Sequence, residues 1–262
     1  MLTVETYSTL AEASGRLGAD ARYLGGGTLL MRDVNYGADG FARLLRSTDP
    51  ALRQIAATAG GVRIGAGATM SDIIAAPDTA ALVPAARAVG GPAVRNMATV
   101  GGNLFAPHPY GDFATALLAL DATVEWADGR SEPMETFLGA RDRASGLVAA
   151  VTVPRVSARD FRFRKVTRTK PKGISVMSIA ALLPGTGNPR IAFGAMGPTP
   201  LRAKAAEAAL NGVRLEAQAI QPALDACLQG LAPIDDALAS AWYRAEVAPI
   251  HLKRLLLDQG GY

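Results

Sequence analysis

Two glycine-rich segments constrain the fold of this chain more than any other feature. The first, Leu24–Leu29, reads Leu-Gly-Gly-Gly-Thr-Leu and follows a predicted strand. Successive glycines leave backbone N–H groups free of side-chain cover, and a helix that starts directly afterwards adds its positive end. Such a turn suits a pyrophosphate, although it matches neither the G-x-G-x-x-G fingerprint nor a Walker loop. Three glycines alone favour the simpler interpretation, a tight turn between a strand and a helix.

The second segment, Ala98–Asn103, lies about 75 residues further along and reads Ala-Thr-Val-Gly-Gly-Asn. Its glycines, Gly101 and Gly102, again predict exposed backbone donors. Asp112 follows and could accept hydrogen bonds from the hydroxyls of a ribityl chain. The alternative is that Asp112 caps the helix predicted from Asp112 to Leu120, and both roles are compatible. Two donor segments in separate lobes are what a large, two-ended ligand needs.

The composition excludes several kinds of site. The chain has 262 residues, two histidines, one cysteine (Cys227) and a formal net charge of +4. One cysteine excludes an internal disulfide and a four-cysteine iron–sulfur or zinc site made by this chain alone. A small positive excess is weak evidence for nucleic acid. No apolar run reaches the length of about 20 residues that crosses a bilayer, and the N-terminus lacks the pattern of a signal peptide, so a cytoplasmic location is expected.

The order of predicted elements divides the chain into three segments: 1–57, 58–157 and 158–262. The first contains a helix near Leu10–Leu17 and strands at 21–24 and 41–45, and the second contains a strand hairpin, alanine-rich helices and further strands. The third has strands at 161–167, 175–183 and 191–195, followed by helices predicted over 203–210, 216–229 and 240–257. Strands grouped before helices predict an α+β lobe rather than a doubly wound sheet.

Taken together, the two glycine-rich segments, with Pro109–Asp112 and Ala116–Ala122, resemble the FAD-binding medium subunits of molybdenum hydroxylases of the xanthine dehydrogenase and carbon monoxide dehydrogenase type. The resemblance covers nearly the whole chain. It implies an α+β fold in which two FAD-binding subdomains of the PCMH type, 1–57 and 58–157, precede a C-terminal α+β domain, 158–262, with an antiparallel sheet and helices.

The resemblance also implies a role for each site residue. Leu24, Gly25, Gly26, Gly27, Thr28 and Leu29 would wrap the pyrophosphate, Thr99, Gly102 and Asn103 would hold the phosphate and ribityl region, and Asp112 would bind the ribityl or flavin-side hydroxyls. Val89 and Val148 would pack near the adenine or the flavin ring, and Lys165 would lie near the flavin. A related group of flavoproteins with the same general fold attaches FAD covalently through a His or a Cys. Here Thr28 and Asn103 occupy these loops, and neither can form that bond, so FAD is expected to be bound noncovalently.

The function that the resemblance implies is electron transfer, with no catalytic residue and no metal ligand on this chain. A large subunit with a molybdenum cofactor would oxidise the substrate, and a small subunit with two 2Fe–2S clusters would pass electrons to the FAD of this chain. NAD, oxygen, a quinone or a carrier protein would be the terminal acceptor, and the assembly would be a heterotrimer or its dimer. The alternatives are a standalone flavin-dependent reductase of the same fold and a non-catalytic scaffold whose glycine segments are only turns.

Two further features have competing interpretations. A basic cluster runs through Arg159, Arg162, Arg164, Lys165, Arg168, Lys170 and Lys172. A solvated strand face is the favoured interpretation, ahead of a docking edge for a partner subunit, with nucleic acid third. His108 lies between two prolines, which indicates a fixed loop, so we expect it to line the flavin mouth without transferring protons.

Overall fold

The architecture is taken from a computed structural model that describes residues 2–169, 173–185 and 187–258. The helices are α1 Leu10–Gly15, α2 Leu30–Asn35, α3 Met70–Ala75, α4 Val83–Ala88, α5 Pro92–Arg95, α6 Val100–Leu104, α7 Asp112–Ala119, α8 Met134–Ala140, α9 Lys204–Leu210, α10 Gln221–Asp225 and α11 Ala241–Leu256. The strands are β1 Thr3–Tyr7, β2 Ala21–Tyr23, β3 Arg43–Ser47, β4 Ile55–Thr58, β5 Gly61–Gly65, β6 Thr123–Trp126, β7 Ser131–Pro133, β8 Val148–Val153, β9 Phe161–Thr167, β10 Ser175–Leu182, β11 Arg190–Gly194 and β12 Leu201–Arg202. Short 3-10 helices cover Pro50–Arg53, Pro77–Leu82 and Arg141–Arg143.

The first sheet is parallel and has the order β1-β3-β2 in the described chain. Parallel neighbours need crossover connections, and α1 and α2 provide them. Helix α1 begins with a capping box, because the Thr9 hydroxyl accepts from the Glu12 N–H and the Glu12 carboxylate accepts from the Thr9 N–H. The outer strand β2 ends at Tyr23, so the first glycine-rich segment begins directly after it, at the edge of this sheet.

The second sheet is antiparallel, with the order β4-β5-β8-β6-β7. Its apolar side chains form one large core with helices α3, α4, α6 and α7. Every residue of α7 is buried, which explains why this helix lacks a polar face. The helix therefore packs on both sides, and its other neighbours are β10 and β11 of the third sheet.

The third sheet is antiparallel, with the order β12-β11-β10-β9. Helices α9, α10 and α11 cover it and form a second apolar core. Its contact with α7 is close, because a Cβ built at Gly194 would lie 2.2 Å from Thr115 Oγ1 and 2.4 Å from Ser178 Oγ. Strands before helices, an antiparallel C-terminal sheet and an α+β class are all confirmed.

Several local predictions were wrong. Residues 99–103, predicted as a loop, contain helix α6, and the predicted helix 216–229 is reduced to α10, which begins at Gln221 beside Pro222. One of the alanine-rich helices predicted in the second segment is in fact a 3-10 helix, Pro77–Leu82, joined to α4. Strand β4 spans the predicted limit at 57/58 and pairs with β5, and the division into 1–57, 58–157 and 158–262 stays a prediction.

The basic cluster does not form a purely solvated strand face. Arg162 is half-buried and donates to the carbonyls of Leu255 (3.0 Å) and Leu256 (2.6 Å), where α11 ends. A cation there satisfies carbonyls that have no partner inside the helix. Arg168 donates to the Leu238 carbonyl, while Lys170 and Lys172 lie outside the described residues.

No helix in the described ranges is both long enough and apolar enough to cross a membrane.

Candidate cofactor site between the glycine-rich segments

The first glycine-rich segment presents a row of unpaired donors. The Leu24 N–H still donates to the Leu45 carbonyl of the parallel sheet. Among the described residues, no acceptor pairs with the N–H groups of Gly25 through Leu29. Gly27 has a φ of +71°, a left-handed conformation that glycine adopts without strain. The segment therefore offers consecutive backbone donors to an anionic ligand.

The two glycine-rich segments lie directly against each other in the fold. A Cβ built at Gly26 would lie 1.5 Å from the carbonyl oxygen of Met97, so only glycine fits there. A Cβ at Gly25 would lie 3.1 Å from Thr99 Oγ1, and one at Gly102 would lie 3.0 Å from the same hydroxyl. The Thr99 side chain thus sits between the glycines of both segments.

The second glycine-rich segment forms the N-terminus of α6, and the backbone N–H groups of its two glycines already donate to acceptors within the protein. Thr99 is the N-cap of α6, and its hydroxyl accepts from the Gly102 N–H at 3.1 Å. The Gly101 N–H donates to the Ala66 carbonyl, and Asn103 Nδ2 donates to the Thr99 carbonyl at 3.0 Å. The expectation that Gly101 and Gly102 expose free donors was therefore wrong. The unpaired backbone donors belong to the first segment.

Asp112 lies at the first position of α7 and is 7% exposed. It is not the N-cap, because that position belongs to Gly111, which has a φ of +99°. Asp112 Oδ2 pairs with Lys165 Nζ at 2.8 Å, and Oδ1 accepts from Ser175 Oγ at 2.6 Å. A carboxylate so placed is stabilised by the positive end of the helix and by two donors.

Lys165 also connects Asp112 to the C-terminal end of α4, which directly precedes Val89. Its ammonium donates to the Ala88 carbonyl at 2.9 Å, next to Val89, which is half-buried after α4. The structure thus brings Val89, Asp112 and Lys165 together. Val148 is 6% exposed and belongs to the core of the second sheet, paired with Trp126, so its contact with a ring of the cofactor stays a prediction.

The loop 105–111 between the second segment and Asp112 is held from three directions. Tyr110 Oη accepts from Arg32 of α2 at 2.9 Å, and the Ala106 carbonyl accepts from Arg141 at 2.9 Å. His108 Nδ1 lies 3.1 Å from the Gly197 carbonyl oxygen, and Nε2 lies 2.6 Å from Asp236 Oδ2. His108 therefore fastens the loop to the C-terminal part of the chain.

Asp236 is itself part of a buried network. Burial opposes ionisation of its carboxyl, but the N–H groups of Ala239 and Leu238, together with His108 and Arg244, outweigh burial and hold its pKa well below its usual range. Arg244 is fully buried and also donates to the carbonyls of three residues, namely Val176, Ile234 and Ala239.

Sequence reasoning missed four residues that hold Asp112 and the loop 105–111 in place: Ser175, Arg32, Arg141 and Asp236. None belongs to a motif. Their partners are 35 or more residues away in the chain, at separations of 63 for Ser175, 78 for Arg32, 35 for Arg141 and 128 for Asp236. Only the packed fold reveals such contacts.

The fold and the site together define a nucleotide-cofactor-binding protein, in which two N-terminal sheets hold the glycine-rich segments and a C-terminal α+β part supplies further contacts. Residues 1–156 match the family described as the FAD-binding domain in molybdopterin dehydrogenase, and residues 163–259 match the CO dehydrogenase flavoprotein C-terminal domain. The chain therefore belongs to the molybdopterin dehydrogenase FAD-binding family, as a medium subunit of the molybdenum hydroxylase type.

Individual relatives agree with this assignment over almost the whole length. The chain is 29% identical to the carbon monoxide dehydrogenase medium chain of Hydrogenophaga pseudoflava, covering 92% of this chain and 90% of that one. It is 27% identical to a xanthine dehydrogenase FAD-binding subunit of Escherichia coli O157:H7, covering 96% and 93%. The structure of a carbon monoxide dehydrogenase from H. pseudoflava lacking the Mo-pyranopterin moiety aligns with a TM-score of 0.85 at 28% identity, covering 97% and 96% of the two chains.

The residues of this chain fit a dinucleotide such as FAD. The unpaired donors of Gly25 through Leu29 suit a pyrophosphate, and the close approach at Gly26 excludes a side chain that would fill the contact between the segments. The buried Asp112 carboxylate, with acceptor capacity left on both oxygens, suits hydroxyl groups.

Proposed function

We propose that this chain holds FAD noncovalently between its two glycine-rich segments and relays electrons from an iron–sulfur partner subunit to a terminal acceptor. The observation that carries the proposal is the row of unpaired donors from Gly25 to Leu29, set against Thr99 of the second segment. Bound FAD would supply the redox chemistry, since a flavin accepts electrons singly and gives them up as a pair.

The protein's part is to bind and orient the cofactor. Backbone N–H groups of Gly25 through Leu29 would hold the pyrophosphate, with Thr28 beside it. Thr99, Gly102 and Asn103 would shape the phosphate and ribityl region, and Asp112 would accept from ribityl hydroxyls. Val89 and Val148 would provide apolar contacts for a ring, and Lys165 would place a positive charge near the flavin. No side chain of this chain is assigned a catalytic proton transfer.

The partners we propose are a large subunit with the molybdenum cofactor, where substrate is oxidised, and a small subunit with 2Fe–2S clusters. The named relatives support this, since they are medium or FAD-binding subunits of a carbon monoxide dehydrogenase and a xanthine dehydrogenase. Subunits of enzymes named for different substrates are similar to this chain, which supports the proposal that another chain selects the substrate. We propose a heterotrimer or its dimer in the cytoplasm.

The binding half of the proposal is tested by a matched pair of glycine variants. Gly26→Ala should abolish the visible flavin bands of the purified protein, because the new Cβ collides with the Met97 carbonyl and separates the segments. Gly40→Ala is the control, since a Cβ there meets nothing within 4 Å. Flavin retained by Gly26→Ala at the level of Gly40→Ala would contradict the site. In the wild type, acid precipitation should release the flavin, as expected for noncovalent binding.

The relay half has its own test. The small subunit, reduced anaerobically with dithionite and freed of excess reductant, should bleach the flavin absorbance of the wild-type chain on mixing. The isolated chain should oxidise no substrate without both partners. Failure of the reduced small subunit to bleach bound flavin would overturn the relay while leaving FAD binding intact. Turnover by the isolated chain would favour the standalone reductase.

A further inference from the structure

The carboxylate of Asp112 is oriented by two strands of the C-terminal sheet. Lys165 on β9 pairs with Oδ2 at 2.8 Å, and Ser175 at the start of β10 donates to Oδ1 at 2.6 Å. Ser175 is 1% exposed and Asp112 7% exposed, so solvent hardly competes for either contact. Both carboxylate oxygens are thereby fixed in direction.

We infer that Ser175 is a positioning residue of the cofactor site, which acts through Asp112 and does not itself touch the cofactor. A carboxylate has about four lone-pair positions, and the two protein donors leave about two for ligand hydroxyls. The Ser175 hydroxyl decides where those two point, because it prevents rotation of the carboxylate around the lysine contact. The inference rests on the proposed function, and it makes the C-terminal sheet part of the FAD site.

A second buried serine on β10, Ser178, serves as a comparison for a role in packing alone. Ser178 is also 1% exposed, and its hydroxyl faces the Thr115 hydroxyl of α7 at 3.3 Å. Both serines therefore fill space between β10 and α7. Only Ser175 contacts a charged acceptor, and hydrogen bonds to ionised groups are about twice as strong as neutral ones. A packing role predicts similar behaviour of the two serines, whereas a positioning role predicts a difference.

The experiment measures the dissociation constant for FAD by titrating FAD-free, full-length protein and following flavin fluorescence. Ser175→Ala should bind FAD several-fold more weakly, because Asp112 then directs its remaining lone pairs less well. About tenfold, the effect of one charge-assisted hydrogen bond, is the upper limit, since the lost bond is made with and without FAD. Ser178→Ala should bind as the wild type does. If Ser175→Ala folds poorly, Ser175→Cys replaces the hydroxyl by a slightly larger thiol that donates only weakly. Once a cooperative melting transition shows that this variant is folded, it should still bind FAD several-fold more weakly than the wild type.

The double variant distinguishes action through Asp112 from any other effect. Asp112→Ala with Ser175→Ala should bind FAD no more weakly than Asp112→Ala alone, because the hydroxyl then has no carboxylate to orient. Wild-type affinity in Ser175→Ala, or a full additive loss in the double variant, would overturn the inference while wild-type FAD binding keeps the proposed function. A wild-type chain that takes up no FAD would overturn both.

Discussion

Two lysine–carboxylate pairs of this chain differ mainly in their access to water. In the pair of Lys165 with Asp112 the side chains are 19% and 8% exposed, whereas in that of Lys204 with Glu135 they are 68% and 48% exposed. Removing one partner of a buried pair leaves an uncompensated charge, while exposed pairs contribute little. Lys165→Met should therefore lower the free energy of unfolding by about 3 kcal/mol, and Lys204→Met should leave it unchanged.

Urea unfolding of the FAD-free proteins measures this difference directly. The FAD-free state is chosen so that a loss of cofactor does not enter the comparison. Equal, small losses in both variants would mean that the buried pair of Lys165 with Asp112 contributes no more to stability than an exposed pair does.

At the residue scale, the sequence allowed prediction of those candidate site residues that belong to a recognisable motif. Gly25 to Gly27 and Asp112 were predicted from residue type and spacing, and Thr99 and Lys165 from family resemblance. Ser175 carries no such signal, since serine is common and its partner lies 63 residues away. Its proximity to Asp112 depends on how β10 packs against α7, which is a property of the folded chain.

At the scale of elements, the loop 105–111 depends on the segment 234–240 that precedes α11. His108 reaches Asp236, and Asp236 also pairs with the fully buried Arg244 at 2.7 Å. Asp236→Asn keeps the shape but removes the charge opposite Arg244, so it should destabilise the protein by about 3 kcal/mol at neutral pH. Asp128→Asn is the control, because its pair with Arg130 is more than half exposed and should matter little.

The same contact predicts a pH dependence. The pKa of Asp236 is lowered in the folded protein, so the ionised form stabilises the fold above the ordinary carboxyl pKa of about 4, and that contribution is lost as the pH falls below it. Urea unfolding at pH 7 and at pH 3 should show the gap between wild type and Asp236→Asn narrowing at the lower pH. If the difference in the free energy of unfolding were the same at both pH values, Asp236→Asn would act by altering packing and not by removing a charge.

The wrong predictions of secondary structure have identifiable physical causes. Helix α6 contains Gly101 and Gly102, which are poor helix formers, and it is held by the Thr99 cap and by contacts to Ala66 and Ala68. The predicted helix 216–229 was too long because Pro222 fits the first turn of a helix but not its interior. Strand β9, by contrast, was located to the residue, since alternation of apolar and polar side chains marks it.

At the scale of the whole molecule, the candidate site draws on all three sheets. The first supplies the unpaired donors after β2, the second supplies Thr99 and Asp112 through α6 and α7, and the third supplies Lys165 and Ser175. A ligand bound at such a junction stabilises each part against local opening. In the proposed site, the C-terminal sheet is then one of the walls that contact the cofactor.

Hydrogen exchange with and without FAD tests this arrangement. Saturating FAD should slow exchange by local opening in three separate regions: residues 25–30, residues 99–112, and the parts of β9 and β10 around Lys165 and Ser175. The hairpin of β6 and β7 is the internal control, since it contributes no residue to the site and its local exchange should not change. FAD at a hundred times its dissociation constant adds about 2.7 kcal/mol to global stability, so only amides that exchange without global unfolding are informative. Protection in the first two regions without any in β9 and β10 would place the cofactor away from the C-terminal sheet, and Lys165 would then serve only to hold Asp112.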